Sequence, residues 1–257
     1  MAKMAESTLK VEGLTKSFGA VVATNEIDFE IRPGEIHAII GPNGAGKTTL
    51  VALISGMLNP DGGRISFLGR DITRETVANR SHLGLARSFQ ITSVFSNLDA
   101  LSNVALSIQA HLGHSFLFWR KASNDPKLIK PAQKFLETVG LGERGHIIAG
   151  NLSHGEQRQL EIAMALATNP KLLLLDEPTA GMGAEDSERM RQFLATLKGE
   201  VSMLLIEHDM DTVFSLADRV TVLVYGTVIG TGTPEEIRKN ADVKAAYLGE
   251  DEEYSHA

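Results

Sequence analysis

The sequence predicts an α/β fold built on a mainly parallel sheet, and three observations carry that reading. First, Glu35–Ile40 reads as a strand leading into the glycine-rich Gly41–Thr48. After it, Leu50, Leu53, Ile54 and Met57 recur at i, i+3, i+4 and i+7, so strand, loop and helix follow in order. Second, Leu172–Leu175, Met203–Ile206 and Val220–Tyr225 are short and continuously apolar, the pattern of strands buried on both faces. Third, between about Gln90 and Gly150 apolar residues recur at helical spacing (Leu98, Leu101, Val104, Ala105, Ile108), with Pro126, Pro131 and several glycines as punctuation. That stretch reads as a mostly helical insertion within the α/β domain.

The remaining elements follow from the same logic. Ile27, Phe29 and Ile31 alternate with Asp28 and Glu30, which makes Thr24–Ile31 a half-buried strand, and Pro33-Gly34 turns the chain into the next one. Val220–Ile229 admits a hairpin at Gly226. In Thr233-Pro234-Glu235-Glu236 the Thr caps a helix, Pro suits its first position and Glu236 completes a capping box. No repeat, heptad run or low-complexity block appears.

Composition narrows the function classes. The 257 residues are 43% apolar and 22% charged, the balance of an ordinary soluble globular protein. There is no cysteine, hence no disulfide framework, thiolate metal site or cysteine nucleophile. A net charge of −7 argues against broad nucleic-acid binding. The first twenty residues lack the apolar stretch of a signal peptide, and no run approaches the roughly 18 apolar residues of a membrane span. Any membrane span must then come from another chain. Glu250-Asp251-Glu252-Glu253 reads as a solvated acidic tail over 251–257.

Gly41-Pro42-Asn43-Gly44-Ala45-Gly46-Lys47-Thr48 matches G-x-x-x-x-G-K-[ST], with odds of about 1% for a chance match in a chain of this composition. Its glycines let backbone N–H groups turn inward and cradle a β-phosphate. Lys47 supplies a point charge, and the Thr48 hydroxyl can ligate Mg²⁺. With Thr49 beside them at the positive end of the helix, these residues predict binding of ATP with Mg²⁺. A buried strand ending in Asp176-Glu177 places two carboxylates where open α/β sheets bind ligands. Asp176 suits the metal shell, and Glu177 suits a general base for the attacking water. His208 ends another apolar strand, where structural and catalytic readings are about even, and Asp209 beside it suits a helix cap. Ser153 and Glu156 form S-x-x-E before a helix with Leu160, Ala163, Met164 and Ala167 on one face. That pattern fits a plain helix start and equally an anion site at Ser153 and Gly155.

Taken together, the phosphate loop, Ser153-His154-Gly155-Glu156-Gln157, Leu172–Glu177 and His208 resemble the ATP-binding subunit of ABC transporters across roughly Leu9 to Leu248. Within that family the chain looks most like the branched-chain amino acid importer ATPases, on Gly84-Leu85-Ala86-Arg87-Ser88-Phe89-Gln90, Leu160-Glu161-Ile162-Ala163, Glu177-Pro178-Thr179-Ala180-Gly181-Met182 and Ala246-Tyr247-Leu248-Gly249. The resemblance implies a RecA-like P-loop NTPase core with a mainly parallel sheet, an N-terminal antiparallel β subdomain and an inserted helical subdomain near 91–155, together spanning 8–250. It implies that Phe18 stacks on adenine, that Gln90 contacts the metal or its water, and that His208 contacts the γ-phosphate. Ser153, Gly155 and Gln157 would close over the nucleotide of a second ATPase subunit in a head-to-tail dimer, and hydrolysis by Glu177 with His208 would reset it.

The same resemblance implies transmembrane permease subunits, an external solute-binding protein, and a peripheral position on the cytoplasmic face of the cell membrane. Phe95 and Phe116-Leu117-Phe118-Trp119 would be the docking residues, with packing inside the helical subdomain as their competing role. Two positions depart from the family pattern: His154 stands where the signature usually has Gly, and Gly183 where the D-loop has aspartate. Uptake of branched-chain or related amino acids is the expectation. Rivals are an exporter or lipopolysaccharide-extraction ATPase, an importer for urea or short amides, a non-transport ABC ATPase, and a nucleotide-binding regulator without turnover. The complete Lys47, Asp176, Glu177 and His208 set argues against the last.

Overall fold

The structure, a computed structural model, describes residues 7–87, 94–111 and 125–245. Gln90, Phe116–Trp119, the Ala246–Gly249 ending and the acidic tail lie outside the described residues. The chain divides into two compact units, one holding residues up to Arg80 and from Leu197 onward, the other Ser81–Thr196.

The first unit opens with β1 (Leu9–Phe18), β2 (Val21–Ile31), β3 (Ile36–Ile40), α1 (Lys47–Ser55), β4 (Gly62–Phe67), β5 (Arg70–Asp71) and α2 (Val77–His82), which runs to the unit boundary. The second unit carries β6 (Leu85–Arg87), α3 (Ala100–His111), α4 (Pro126–Thr138), α5 (His154–Leu166), β7 (Leu172–Asp176) and α6 (Ala184–Thr196). The chain then returns to the first unit as β8 (Ser202–Ile206), α7 (Met210–Leu216), β9 (Arg219–Val224), β10 (Thr227–Gly232) and α8 (Pro234–Lys239).

Two sheets organise the first unit. β2-β1-β4-β5 is antiparallel, and Ile27, Phe29 and Ile31 are buried as their alternation requires. In the other, β9, β3 and β8 run parallel in that order, with β10 antiparallel at the edge beside β9. All five residues of β3 and of β8 are buried, as strands covered on both faces must be. One of those positions is His37. Burial pushes its imidazole pKa down, and its two nitrogens are satisfied by Thr221 Oγ1 at 2.8 Å and Glu35 Oε1 at 3.3 Å. β9 and β10 meet in the hairpin at Tyr225-Gly226.

α1 is shorter than its apolar spacing suggests. Gly56 adopts φ 82° and ends the helix, so Met57 lies beyond it and is 55% exposed. The freed carbonyls of Leu53 and Ile54 accept from Arg80, a fully buried arginine that sequence periodicity gave no reason to expect. α8 starts as its sequence dictates: the Thr233 hydroxyl accepts from the Glu236 N–H, and Glu236 accepts from the Thr233 N–H at 2.7 Å. Thr233→Ala removes one of these reciprocal bonds and should lower stability by about 1 kcal/mol, readable as a shift in the urea midpoint.

In the second unit β6 and β7 pair in parallel. Leu98 falls outside the helix its spacing suggested. It sits in a turn whose N–H donates to Phe95 O, and α3 begins two residues later. Buried Asn103 holds that turn, donating to the carbonyls of Phe95, Leu98 and Asp99 and accepting from the Phe95 N–H. Pro131, read as punctuation, stands inside α4. It removes one backbone hydrogen bond, yet Leu128, Ala132 and Leu136 bury a continuous face that keeps the helix intact.

Candidate nucleotide site

The phosphate loop joins β3 to α1 and is held from two sides. Ala45 O accepts from the Gly226 N–H at 3.0 Å, and Gly226 O accepts from the Asn25 N–H at 2.8 Å. The hairpin turn is thus clamped between the loop and β2, a buttress that no motif announced. Gly46 shows why the motif needs glycine. Its φ is 101°, and a Cβ there would lie 2.2 Å from the Ala23 carbonyl oxygen. Gly46 is the N-cap of α1 and offers no side-chain cap, so the helix start is made of backbone alone and its positive end faces the loop. The Lys47 ammonium lies back over the loop, donating to the carbonyls of Gly41 and Pro42.

Strand register puts His208 at the same end of the sheet as this loop. Ile39 pairs with Ile206, so Gly41 and His208 each stand two residues past a paired position on adjacent parallel strands. The His208 side chain is 65% exposed, and its backbone N–H donates to the Glu207 carboxylate at 3.2 Å. Asp209 does cap α7, accepting from the Asp211 N–H at 3.0 Å. Phe18, at the end of β1, is 49% exposed, so its ring is not a core side chain.

In the second unit, all-leucine β7 ends in Asp176, which is 2% exposed. Burial pushes its carboxyl above the usual carboxylate range, and the Arg87 guanidinium, donating to Oδ2 at 3.1 Å, pulls it back. Glu177 follows at φ 48°, a left-handed conformation that costs a non-glycine residue about 1 kcal/mol or more and is often kept for function. At the α5 start, Ser153 and Glu156 form a complete capping box. Gln157 donates from its amide to the carbonyls of Ala149 and Leu152, tying the helix start to the preceding turn. His154 stands in van der Waals reach of the Gly181 position, and Gly183 accepts from the Ser187 N–H at the head of α6.

A family profile described as "ABC transporter" matches residues 24–180, more than half the chain. The chain belongs to the ABC transporter family. A second profile, "Branched-chain amino acid ATP-binding cassette transporter", matches residues 227–253 of this ABC cassette. The cassette is 37% identical to the high-affinity branched-chain amino acid transport ATP-binding protein BraF of Pseudomonas aeruginosa, over 96% of this chain and 100% of that protein. It is 36% identical to its counterpart LivG of Escherichia coli K12, with the same coverage. Among solved structures, the ADP conformation of an ATP-binding cassette of an ABC transporter matches with a TM-score of 0.83 and 30% identity, over 95% of this chain and 99% of that one. A dimeric post-hydrolysis cassette bound to ADP and Pi matches with a TM-score of 0.74 and 25% identity, over 88% and 98%. As a member of this family the cassette binds ATP and hydrolyses it. Among its described residues, no helix is long and apolar enough to cross a membrane.

Proposed function

We propose that this cassette energises uptake of branched-chain or related amino acids, acting with permease subunits and a solute-binding protein from the cytoplasmic face of the cell membrane. The observation that carries the reading is the match of residues 227–253 to the branched-chain profile, beyond the part of the chain matched by the general family profile. Exposed Phe95 (56%) and Leu98 share one turn, and exposed Ile148 stands on the segment bridged to it at Asp99; this supports the docking role, because clustered apolar surface marks an interaction site. Reconstitution into vesicles with its co-purifying membrane subunits tests this. ATP-driven leucine entry that Lys47→Ala abolishes is the expected result. Outward transport, lipopolysaccharide release, or uptake of urea in place of leucine would overturn it.

Each chain supplies half of a shared site in this reading. Gly41–Thr49 cradles the phosphates, Lys47 leaves the loop carbonyls for the β and γ oxygens, and Phe18 stacks on adenine. Ser153 and Gly155 serve the nucleotide held by a second subunit. The capping box does not forbid that role, since a hydroxyl that accepts from the Glu156 N–H still has its own proton to donate. Gln157 orients that helix start, and Gln90 would contact the metal or its water. Glu177 takes the proton of the water that attacks the γ-phosphorus as the bond to the bridging oxygen breaks, and His208 steadies the γ-phosphate.

The donors fit Mg²⁺. Thr48 and Asp176 are each a hard oxygen donor of the kind Mg²⁺ takes, and no cluster of three or more His, Cys, Asp or Glu gathers a metal by itself among the described residues. Each would hold the cation through its oxygen, and the cation, when bound, would neutralise charge on the phosphates. Phe18→Ala should weaken ATP binding about tenfold, the scale of one base–aromatic stack, while Phe18→Tyr binds normally; calorimetry on both variants checks it.

A further inference from the structure

Asp176 already has a cation. Arg87 ends β6, and Arg87 pairs across the sheet with Leu174, two residues before Asp176. Its Nη2 donates to Asp176 Oδ2 at 3.1 Å, with side chains only 11% and 3% exposed. A second buried arginine, Arg158 of α5, also acts on Asp176, but it is bonded to buried Glu161 at 2.8 Å. Arg87 is the arginine hydrogen-bonded to Asp176 itself. The neighbouring carboxylate of Glu177 acts on Asp176 with the opposite sign to the arginines. A divalent cation arriving at Asp176 therefore meets a carboxylate whose lone pairs and charge are partly taken.

We propose that Arg87 is the internal counter-ion of Asp176, a positioning residue that holds this carboxylate at the strand end and yields it when a divalent cation arrives with nucleotide. The inference rests on the reading of Asp176 as a metal ligand. Guanidinium and metal compete for one carboxylate. The pair keeps a buried charge compensated before loading, and the same pairing raises the metal concentration at which loading occurs.

The test follows Mg²⁺-dependent binding of a fluorescent ADP analogue by the full chain, with no turnover involved. Work at pH 8.5 keeps proton uptake by Asp176 from standing in for the lost cation. Arg87→Met should lower the half-saturating Mg²⁺ about three- to tenfold. Arg87→Lys, a point charge without the planar fork, should fall between that variant and the parent. In EDTA, Arg87→Met should lower Tm by several degrees, because Asp176 loses its partner, and the loss should vanish in an Asp176→Asn background. Asp176→Asn should raise the half-saturating Mg²⁺. If Asp176→Asn leaves it unchanged, the metal-ligand reading fails. If Asp176→Asn raises it but neither Arg87 variant lowers it, the counter-ion role alone is overturned.

Discussion

Glu177→Gln is expected to cut ATP turnover at least a hundredfold while leaving ATP binding intact, so that an ATP-bound dimer accumulates. A general base contributes about 10²–10⁴ in rate, and glutamine keeps the shape of glutamate without its basicity. Local structure supports a clean substitution. Glu177 sits at φ 48° directly after the buried strand end, and its carbonyl accepts from the Ala180 N–H at 3.1 Å, so a turn sets the backbone there. A side chain of the same length and branching should leave that turn unchanged. Phosphate release from the complex and size-exclusion chromatography with ATP read the two halves of the expectation. A variant that releases phosphate at the parental rate removes Glu177 from the mechanism.

Gly46→Ala should weaken ATP binding by a hundredfold or more and lower Tm. The added Cβ would sit 2.2 Å from Ala23 O, and φ 101° strains any L side chain. The loop has little room to yield, because the Gly226 turn is bonded to Ala45 on one side and Asn25 on the other. Gly44→Ala is the natural control. Gly44 has φ 77°, but a Cβ there meets nothing within 4 Å, so only the backbone cost of about 1 kcal/mol applies. Isothermal titration with ATP distinguishes the pair. Equal affinities for Gly46→Ala and the parent would mean that the clamp around the loop is not rigid.

Much of this protein is legible in one dimension because its signals are local. Alternation marked β2, the glycine loop marked the end of β3, continuous apolar runs marked β7, β8 and β9, and the capping boxes at Ser153 and Thr233 need only four consecutive residues. The phosphate loop is local too, since its chemistry is made by backbone N–H groups of one short segment. Apolar spacing misleads where a specific turn residue or side chain intervenes. Apolar spacing carried α1 on to Met57, but Gly56 ends it and Arg80 receives its last carbonyls. Leu98 shared the helical spacing of α3, yet Asn103 holds it in a turn.

By itself the amino-acid sequence determined the class of fold, the phosphate loop, the acidic strand end and the family resemblance, since each is written in neighbouring residues. Only the tertiary structure decided that Gly226 buttresses the loop, that strand register sets His208 and Gly41 at the same end of adjacent strands, and that Arg87 is bonded to Asp176. Those pairs are 181, 167 and 89 positions apart. Their partners are chosen by sheet order and register, which no local pattern of side chains encodes.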